Sequence, residues 1–309
     1  VLHHLGRFGV VLAGLGIPPF VVYLLSEPLV PGLVLAATLA LVGGGGWLLA
    51  RATPPGETEI QMNEALVVAA GAFLAAGLVT AVPFVAGGMR PADALFEAYS
   101  GVTTTGLTVL SDPAAASAGT LFNRAWAQWF GGLGYVTLAT VLVSRRGVVF
   151  RLARLEDEED DLVGGTLANG KRVLGVYVTL TVASLAGLLL LGTAPFDAVI
   201  HTLSAVPTGG FSRYGDSISA LNAPARGLIL VIFALGAVPL LMLHRLRAGA
   251  WREVLGDVQL RALLVAGALV SLALFLTVNT SDDALARAGN AIITGFSAQT
   301  TTGYSTWSP

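Results

Sequence analysis

Three segments of the sequence repeat hydroxyl and glycine residues at the same spacing. Each begins with Asp or Asn followed by Ala, has Ser seven positions later, and ends in Thr-x-Gly followed by Leu or an aromatic residue. They run over residues 93–107, 197–211 and 290–304. The last five residues of each, here called strips 1, 2 and 3, are 103–107, 207–211 and 300–304. Hydroxyl and backbone carbonyl oxygens at such density can replace the hydration shell of an ion.

The cost of dehydrating an ion indicates which part of each segment is decisive. Moving a small ion into a low-dielectric interior costs on the order of 20 kcal/mol, whereas a helix end contributes about 0.3–2 kcal/mol. Close oxygen ligands must therefore supply most of the compensation. The strips contain no carboxylate, the ligand that divalent cations usually recruit, so a monovalent cation is predicted. The candidate ligands are Thr103, Thr104, Thr105, Gly106, Leu107, Pro207, Thr208, Gly209, Gly210, Phe211, Thr300, Thr301, Thr302, Gly303 and Tyr304.

Each strip follows a helix that is too short to cross a bilayer. Asp93, Asp197 and Asn290 are good N-cap residues, and about ten mostly apolar residues follow each of them. Ten residues of helix span about 15 Å, half of a hydrocarbon core of about 30 Å. The strips themselves form helix poorly. Non-helical backbone at that depth survives only inside protein or beside water, so the pattern predicts re-entrant segments around an axis.

The composition predicts that long membrane helices position these segments. The chain is 54% hydrophobic and 12% charged, with a mean hydropathy of +0.76, whereas soluble domains carry about 25% charged residues. A soluble enzyme and a nucleic-acid binder are excluded, the latter because no basic footprint exists. The absence of Cys removes thiolate metal sites, and the scattered His residues predict no transition-metal site. The predicted spans are 8–25, 31–50, 64–85, 121–143, 173–192, 226–243 and 261–279.

The predicted fold is an all-α polytopic membrane protein of helix–pore loop–helix units around a pseudo-fourfold pore, with three filter segments present. Twelve of the 17 Lys and Arg residues fall on the side of the N-terminus, which predicts a multi-pass protein of the cytoplasmic (inner) membrane with its N-terminus inside. The predicted parts are an N-terminal helix pair at 1–51, pore repeat 1 at 64–145, a cytoplasmic loop at 146–171 with an acidic run at 156–161, pore repeat 2 at 172–247 and an incomplete pore repeat 3 at 258–309.

Two charged residues near strip 1 have alternative roles. Glu97 lies inside the first short helix and either attracts cations or serves as a local polar partner; His201 and Thr294 take its place in the other repeats. Arg124 either extends its charge to the outer interface or pairs with Glu97 or Asp112. Pro207 is unusual in strip 2, because it removes a backbone N–H and restricts the preceding residue.

Several motifs together resemble the TrkH/KtrB/HKT superfamily of potassium transporters. They are the residues 100–106 and 124–134 in the first repeat, Gly210-Phe211-Ser212 in the second, and 300–305 with Trp307 and Pro309 in the third. The N-terminal helix pair is similar to TrkH rather than KtrB. The resemblance implies filter glycines at Gly106, Gly210 and Gly303, and glycine rather than serine at the first is the potassium-permissive choice.

The resemblance also implies K⁺ as the transported ion, no catalytic residues and no cofactor in this chain. It further implies a homodimer and a cytoplasmic regulatory partner of the TrkA type, which itself binds nucleotide. The family has four repeats, and the sequence ends after its third filter motif. Either the sequence is a fragment, as we expect, or another chain supplies the rest. The alternatives are a sodium-permeable or Na⁺- or H⁺-coupled symporter of the same superfamily and, more remotely, an intramembrane enzyme or a non-conducting membrane subunit.

Overall fold

The computed structural model describes two compact units, Val1–Gly131 and Gly132–Pro309, with the boundary inside a long helix. For residues 62, 139–152, 162–169 and 253 it describes the backbone alone. The described residues are 1–26, 29–53, 61–152, 162–240, 242–243, 249, 251–278 and 282–307.

The first unit consists of helices, the first four of which belong to apolar segments long enough to cross a membrane. Its tightest packing joins α1 to α3, where the backbones of Gly6 and Gly46 are in direct contact, as small residues allow between membrane helices. The helices are α1 (Leu2–Leu15), α2 (Ile17–Leu25), α3 (Val30–Ala52), α4 (Met62–Ala86), α5 (Pro91–Val102) and the start of α6 (Ala118–Leu152), with a 3₁₀ turn at Pro113–Ala115.

The second unit continues from α6 and holds two repeats. These are the second and third repeats of the chain. In the third repeat, the helix Val258–Thr277 packs on the short helix Ala284–Gln299 that follows it, because Gly267 leaves room for the ring of Phe296. The helices are α7 (Leu162–Leu190), α8 (Pro195–Ala205), α9 (Ala223–Gly236), α10 (Trp251–Gly256), α11 (Val258–Thr277) and α12 (Ala284–Gln299).

The helical fold class is confirmed, and the described residues contain no strand. Five predicted spans are apolar helices long enough to cross a membrane: Leu2–Leu25, Val30–Ala52, Asn63–Ala86, Gly170–Leu190 and Val258–Thr277. The predicted span 121–143 lies within α6.

Two predicted boundaries are wrong. A continuous span at 226–243 is not formed, because α9 ends at Gly236 and Pro239, which has no N–H, follows shortly after. The predicted loop 146–171 is helical at both ends, since α6 runs to Leu152 and α7 begins at Leu162. The acidic run 156–161 lies outside the described residues.

Candidate cation site

The short helices α5 and α8 begin at proline, so the prediction that Asp93 and Asp197 cap them is wrong. Pro91 and Pro195 occupy the first helical position, where the fixed φ of proline suits a helix start. Both aspartates therefore lie in the first turn, where a carboxylate favours the positive end of the helix dipole.

The two carboxylates instead bind side chains outside their helices. Asp93 accepts from Arg90 Nε at 2.6 Å. Asp197, which is buried, accepts from Arg213 Nη1 at 2.9 Å and from Tyr214 Oη at 2.6 Å. The hydrogen bond to Asp197 raises the pKa of Arg213 above its ordinary value. Asp197 thus joins the start of α8 to the segment that follows strip 2.

The third predicted cap, Asn290, is also wrong. The helix α12 begins nearly two turns before the predicted start, at Ala284, and its N-cap is Asp283. The Asp283 carboxylate accepts from the N–H groups of Leu285 at 3.1 Å and Ala286 at 3.3 Å, which satisfies donors that otherwise have no partner at a helix start.

The three strips fold back from their helices in the same way. In each, the second residue is left-handed, and the third donates its N–H to the carbonyl of a serine near the helix end, as in a Schellman motif. The left-handed residues are Thr104 with φ 56°, Thr208 with φ 55° and Thr301 with φ 56°. The N–H to carbonyl distances are 2.9 Å from Thr105 to Ser100, 2.8 Å from Gly209 to Ser204 and 2.9 Å from Thr302 to Ser297. Such strain costs about 1–3 kcal/mol at each β-branched residue.

The predicted filter glycines all have positive φ. The values are 78° at Gly106, 76° at Gly210 and 86° at Gly303, a region that glycine enters without steric cost. Gly210 has a second requirement, because a methyl group there would collide with the carbonyl oxygen of Thr302. A methyl group on Gly303 would meet nothing within 4 Å.

The hydroxyls of strips 1 and 3 tie each strip to its helix. Thr103 Oγ1 donates to Tyr99 O at 2.7 Å and lies 2.7 Å from Thr105 Oγ1. Thr300 Oγ1 repeats this with Phe296 O at 2.8 Å and Thr302 Oγ1 at 2.7 Å. Since the first hydroxyl gives its proton to the helix, the other hydroxyl donates to it.

The carbonyl oxygens of the same two strips are left for another ligand. Those of residues 103–106 and 300–303 accept no hydrogen bond from the part of the chain that the structure describes. A carbonyl oxygen that is buried in protein or lies at membrane depth normally has a binding partner. A monovalent cation is a suitable partner for such an oxygen.

A buried ion pair supports strip 1 from behind. Glu97 and Arg124 are 0% and 2% exposed, and Arg124 Nε donates to Glu97 Oε1 at 2.5 Å. The same carboxylate accepts from Thr108 Oγ1 at 2.8 Å and from Val109 N at 2.9 Å. Of the predicted alternatives, Glu97 is thus a local polar partner, and Arg124 does not extend to the interface. Asp112 instead accepts from Ala114 N at 3.0 Å.

In the other two repeats, hydrogen bonds between uncharged side chains replace this ion pair. His201 Nε2 lies 3.2 Å from Ser212 Oγ, and Thr294 Oγ1 lies 3.4 Å from Thr306 Oγ1. His201 also contacts Asp197 O through Nδ1 at 2.8 Å. A polar residue at one position of each short helix therefore binds a hydroxyl just after the strip.

The supporting hydroxyl residues were not predicted, although the sequence carries a signal for two of them, Thr108 and Ser212. In the third repeat the supporting hydroxyl belongs to Thr306, the residue after Ser305. Thr108, Ser212 and Ser305 all stand two positions after a filter glycine. Each Oγ accepts the N–H two residues further on, with distances of 3.1 Å to Leu110, 3.1 Å to Tyr214 and 3.2 Å to Trp307. Such turns fix the direction in which the chain leaves the strip.

Glycines in the returning helices let two of these helices approach a strip closely. A methyl group on Gly131 of α6 would collide with Val102 O, and one on Gly236 of α9 with Val206 O. Val102 and Val206 occupy the same repeat position, directly before strips 1 and 2. Each close approach therefore needs glycine.

Among the described residues, no cluster of His, Asp and Glu could hold a metal ion. Strips 2 and 3 lie together in the second unit, where Gly210 packs on the Thr302 carbonyl. Strip 1 belongs to the first unit.

Comparisons with known proteins agree with this arrangement. The chain is 29% identical over 305 residues to the Trk system potassium uptake protein TrkH of Halomonas elongata, covering 94% of this chain and 62% of that protein. It is 32% identical over 185 residues to TrkH of Escherichia coli K12, covering 57% of this chain and 38% of that protein. The crystal structure of the potassium transporter TrkH from Vibrio parahaemolyticus has the same fold, with a TM-score of 0.80 at 23% identity, and covers 98% of this chain and 65% of that one.

The chain thus spans less than two thirds of the length of each of these relatives. The sequence matches the family TrkH, described as a cation transport protein, over residues 36–246, which is more than half of the chain. Its apolar helices and this match identify a multi-pass membrane protein. The chain belongs to the TrkH family of cation transport proteins.

Proposed function

We propose that this chain forms part of the pore of a potassium uptake system, with the ion coordinated by strips 1, 2 and 3. The observation that carries the proposal is the threefold recurrence of one strained backbone, with φ between 55° and 56° at the second residue and between 76° and 86° at the glycine. Strain of this kind persists at functional sites where the surroundings over-determine it. The unpaired carbonyls of strips 1 and 3 supply uncharged oxygen ligands, as K⁺ requires.

Potassium is favoured over sodium because of the first filter glycine. The family resemblance implies that glycine, rather than serine, is the potassium-permissive residue at the position of Gly106. The relatives named as potassium uptake proteins support the same ion. The sodium-permeable or ion-coupled transporter of the same superfamily is the alternative, and ion selectivity separates the two.

The supporting assignments are part of the same proposal. The 12-to-5 distribution of basic residues favours a cytoplasmic-membrane protein with its N-terminus inside. The family resemblance favours a homodimer and a cytoplasmic TrkA-type regulatory subunit that binds nucleotide. No cofactor in this chain is needed for ion passage, and no enzymatic activity is proposed.

The test is uptake of K⁺ and Rb⁺ against Na⁺ by the full-length protein in cells without other potassium uptake. We expect the wild-type protein to prefer K⁺, and Gly106→Ser to lower the K⁺/Na⁺ ratio, because serine is strained at a φ of 78° and the strip must change shape. Gly227→Ala is the control, since a methyl group there meets nothing within 4 Å. A Gly106→Ser protein with wild-type selectivity would contradict the filter assignment.

A further inference from the structure

Tyr304, the last residue of strip 3, inserts its side chain into the second repeat. It is 1% exposed, and its ring centroid lies 6.2 Å from that of His201 in α8 and 6.3 Å from that of Phe233 in α9. Its hydroxyl donates to the carbonyl oxygen of Phe211 at 3.3 Å. All three neighbours belong to the second repeat, and Phe211 is the last residue of strip 2.

The first repeat holds the corresponding carbonyl by its own means. Ser100 Oγ donates to Leu107 O at 2.5 Å, so the short helix fixes the end of its own strip. Ser204 occupies the same position in the second repeat but does not bond to Phe211 O. The end of strip 2 is therefore held by a hydroxyl that a different repeat supplies.

Further contacts join the same two repeats on either side of Tyr304. On one side, the Thr302 carbonyl packs on Gly210. On the other, Ser305 N donates to Ser217 Oγ at 3.1 Å, and Ile218 N donates to Ser305 O at 3.3 Å. Tyr304 thus lies between two backbone contacts, and its own bond ends on a carbonyl of strip 2.

We propose that Tyr304 is a positioning residue for ion selectivity, which rests on the proposed function. Its hydroxyl holds the Phe211 carbonyl and so limits how far this oxygen can move toward an ion. A carbonyl oxygen has two lone pairs, so this bond is compatible with ion coordination. Sodium is smaller than potassium and needs its ligands to move closer, so a tethered oxygen favours potassium.

The experiment compares Tyr304→Phe with Tyr214→Phe in the full-length protein. Each change removes one hydroxyl and keeps the ring, but the hydroxyl of Tyr214 donates to the Asp197 side chain at 2.6 Å rather than to a strip carbonyl. We expect Tyr304→Phe to lower the K⁺/Na⁺ uptake ratio by roughly three- to tenfold, the effect of one hydrogen bond, with the maximal rate of K⁺ uptake largely retained. Tyr214→Phe should keep the wild-type ratio.

The ratio does not depend on how much protein reaches the membrane, so it separates positioning from stability. A wild-type ratio in Tyr304→Phe, or an equal fall in both variants, would overturn the role of Tyr304 and leave the proposed function intact. Failure of Tyr304→Phe to give any folded protein, judged by gel filtration in detergent, would also overturn it, because one lost hydroxyl should not prevent folding. A wild-type protein that takes up neither ion would overturn the proposed function first.

Discussion

Strips 1 and 2 have the same backbone but are held by different chemistry. Strip 1 is fixed by its own threonine hydroxyls and by the buried pair of Glu97 and Arg124. Strip 2 has proline and glycine where those hydroxyls would be, and packing holds it instead. Pro207 packs directly on Gly132, where a methyl group would collide with the proline ring. Tyr304 also donates a hydrogen bond to the last carbonyl of strip 2.

The difference indicates which property the repeats preserve. The side chains that support the strips vary from an ion pair to an imidazole to a pair of threonines. The positive φ values and the bond back to the serine carbonyl recur in all three. The constraint therefore acts on the position of backbone oxygens, which is what ion coordination by carbonyls requires.

The largest expected effect comes from breaking the ion pair behind strip 1. Glu97→Gln keeps the shape of the side chain but leaves the Arg124 guanidinium, 2% exposed, without its counter-charge. Breaking a buried pair in this way costs about 3–5 kcal/mol. We expect a large fall in the thermal unfolding temperature in detergent and little folded protein in the membrane.

The matched change in the second repeat is His201→Asn, because His201 occupies the same repeat position. It removes the imidazole and with it the neutral hydrogen bonds to Ser212 Oγ at 3.2 Å and to Asp197 O at 2.8 Å, each worth about 0.5–1.5 kcal/mol. A loss of stability as large as that of Glu97→Gln would contradict the distinction between charged and uncharged support. Equal tolerance of both changes would contradict it as well.

An intermediate loss of stability is expected from changing the glycine contact that strips 1 and 2 share. Gly131→Ala and Gly236→Ala each place a methyl group against the carbonyl that precedes a strip, and overpacking of this kind costs about 1–3 kcal/mol. Both variants should unfold at lower temperature and transport more slowly.

Gly227→Ala provides the control for this pair within α9. A methyl group at Gly227 meets nothing within 4 Å, and replacing a glycine inside a helix by alanine stabilises it by about 0.5–1 kcal/mol. Unfolding temperatures that fall equally in Gly227→Ala and Gly236→Ala would show that the loss does not come from the carbonyl contact.

The sequence was sufficient for features with a local signal. The strips, their glycines and five spans could be predicted because hydroxyl spacing and continuous apolar runs do not depend on distant residues. The N-caps were wrong because Pro91 and Pro195 set the helix starts more strongly than the aspartates two residues later. Pro239 was a local sign that the helix ends after Gly236, but the continuous apolar run around it favoured the prediction of an unbroken span.

Contacts between repeats could not be predicted in the same way. The bond from Tyr304 to Phe211 joins residues 93 positions apart, and nothing in either local sequence indicates the other. The choice of Glu97 rather than Asp112 as the partner of Arg124 likewise depends on how α5 and α6 pack. Such pairings follow from the tertiary structure, which one sequence does not reveal.

The smallest effect is expected from Pro207→Thr, which gives strip 2 the residue type that strip 1 has at its first position. Val206 keeps a helical backbone, with φ −56° and ψ −46°, although a following proline disfavours that region. Pro207→Thr relieves this restriction and restores an N–H and a hydroxyl that can reach the Leu203 carbonyl, as Thr103 reaches Tyr99 O at 2.7 Å. It also loses the rigidity of proline, worth about 0.4–1 kcal/mol, and the contact with Gly132.

These terms nearly cancel, so Pro207→Thr should leave unfolding temperature and K⁺ uptake close to wild type. The comparison change in strip 1, Thr103→Val, removes only the hydroxyl. The bond to Tyr99 O disappears and Thr105 loses its acceptor, at about 1 kcal/mol for each bond. We therefore expect Thr103→Val to unfold at lower temperature than Pro207→Thr and to be less selective for K⁺. If Pro207→Thr is the more damaging change, then the proline ring itself, rather than the backbone it helps to form, determines the conformation of strip 2.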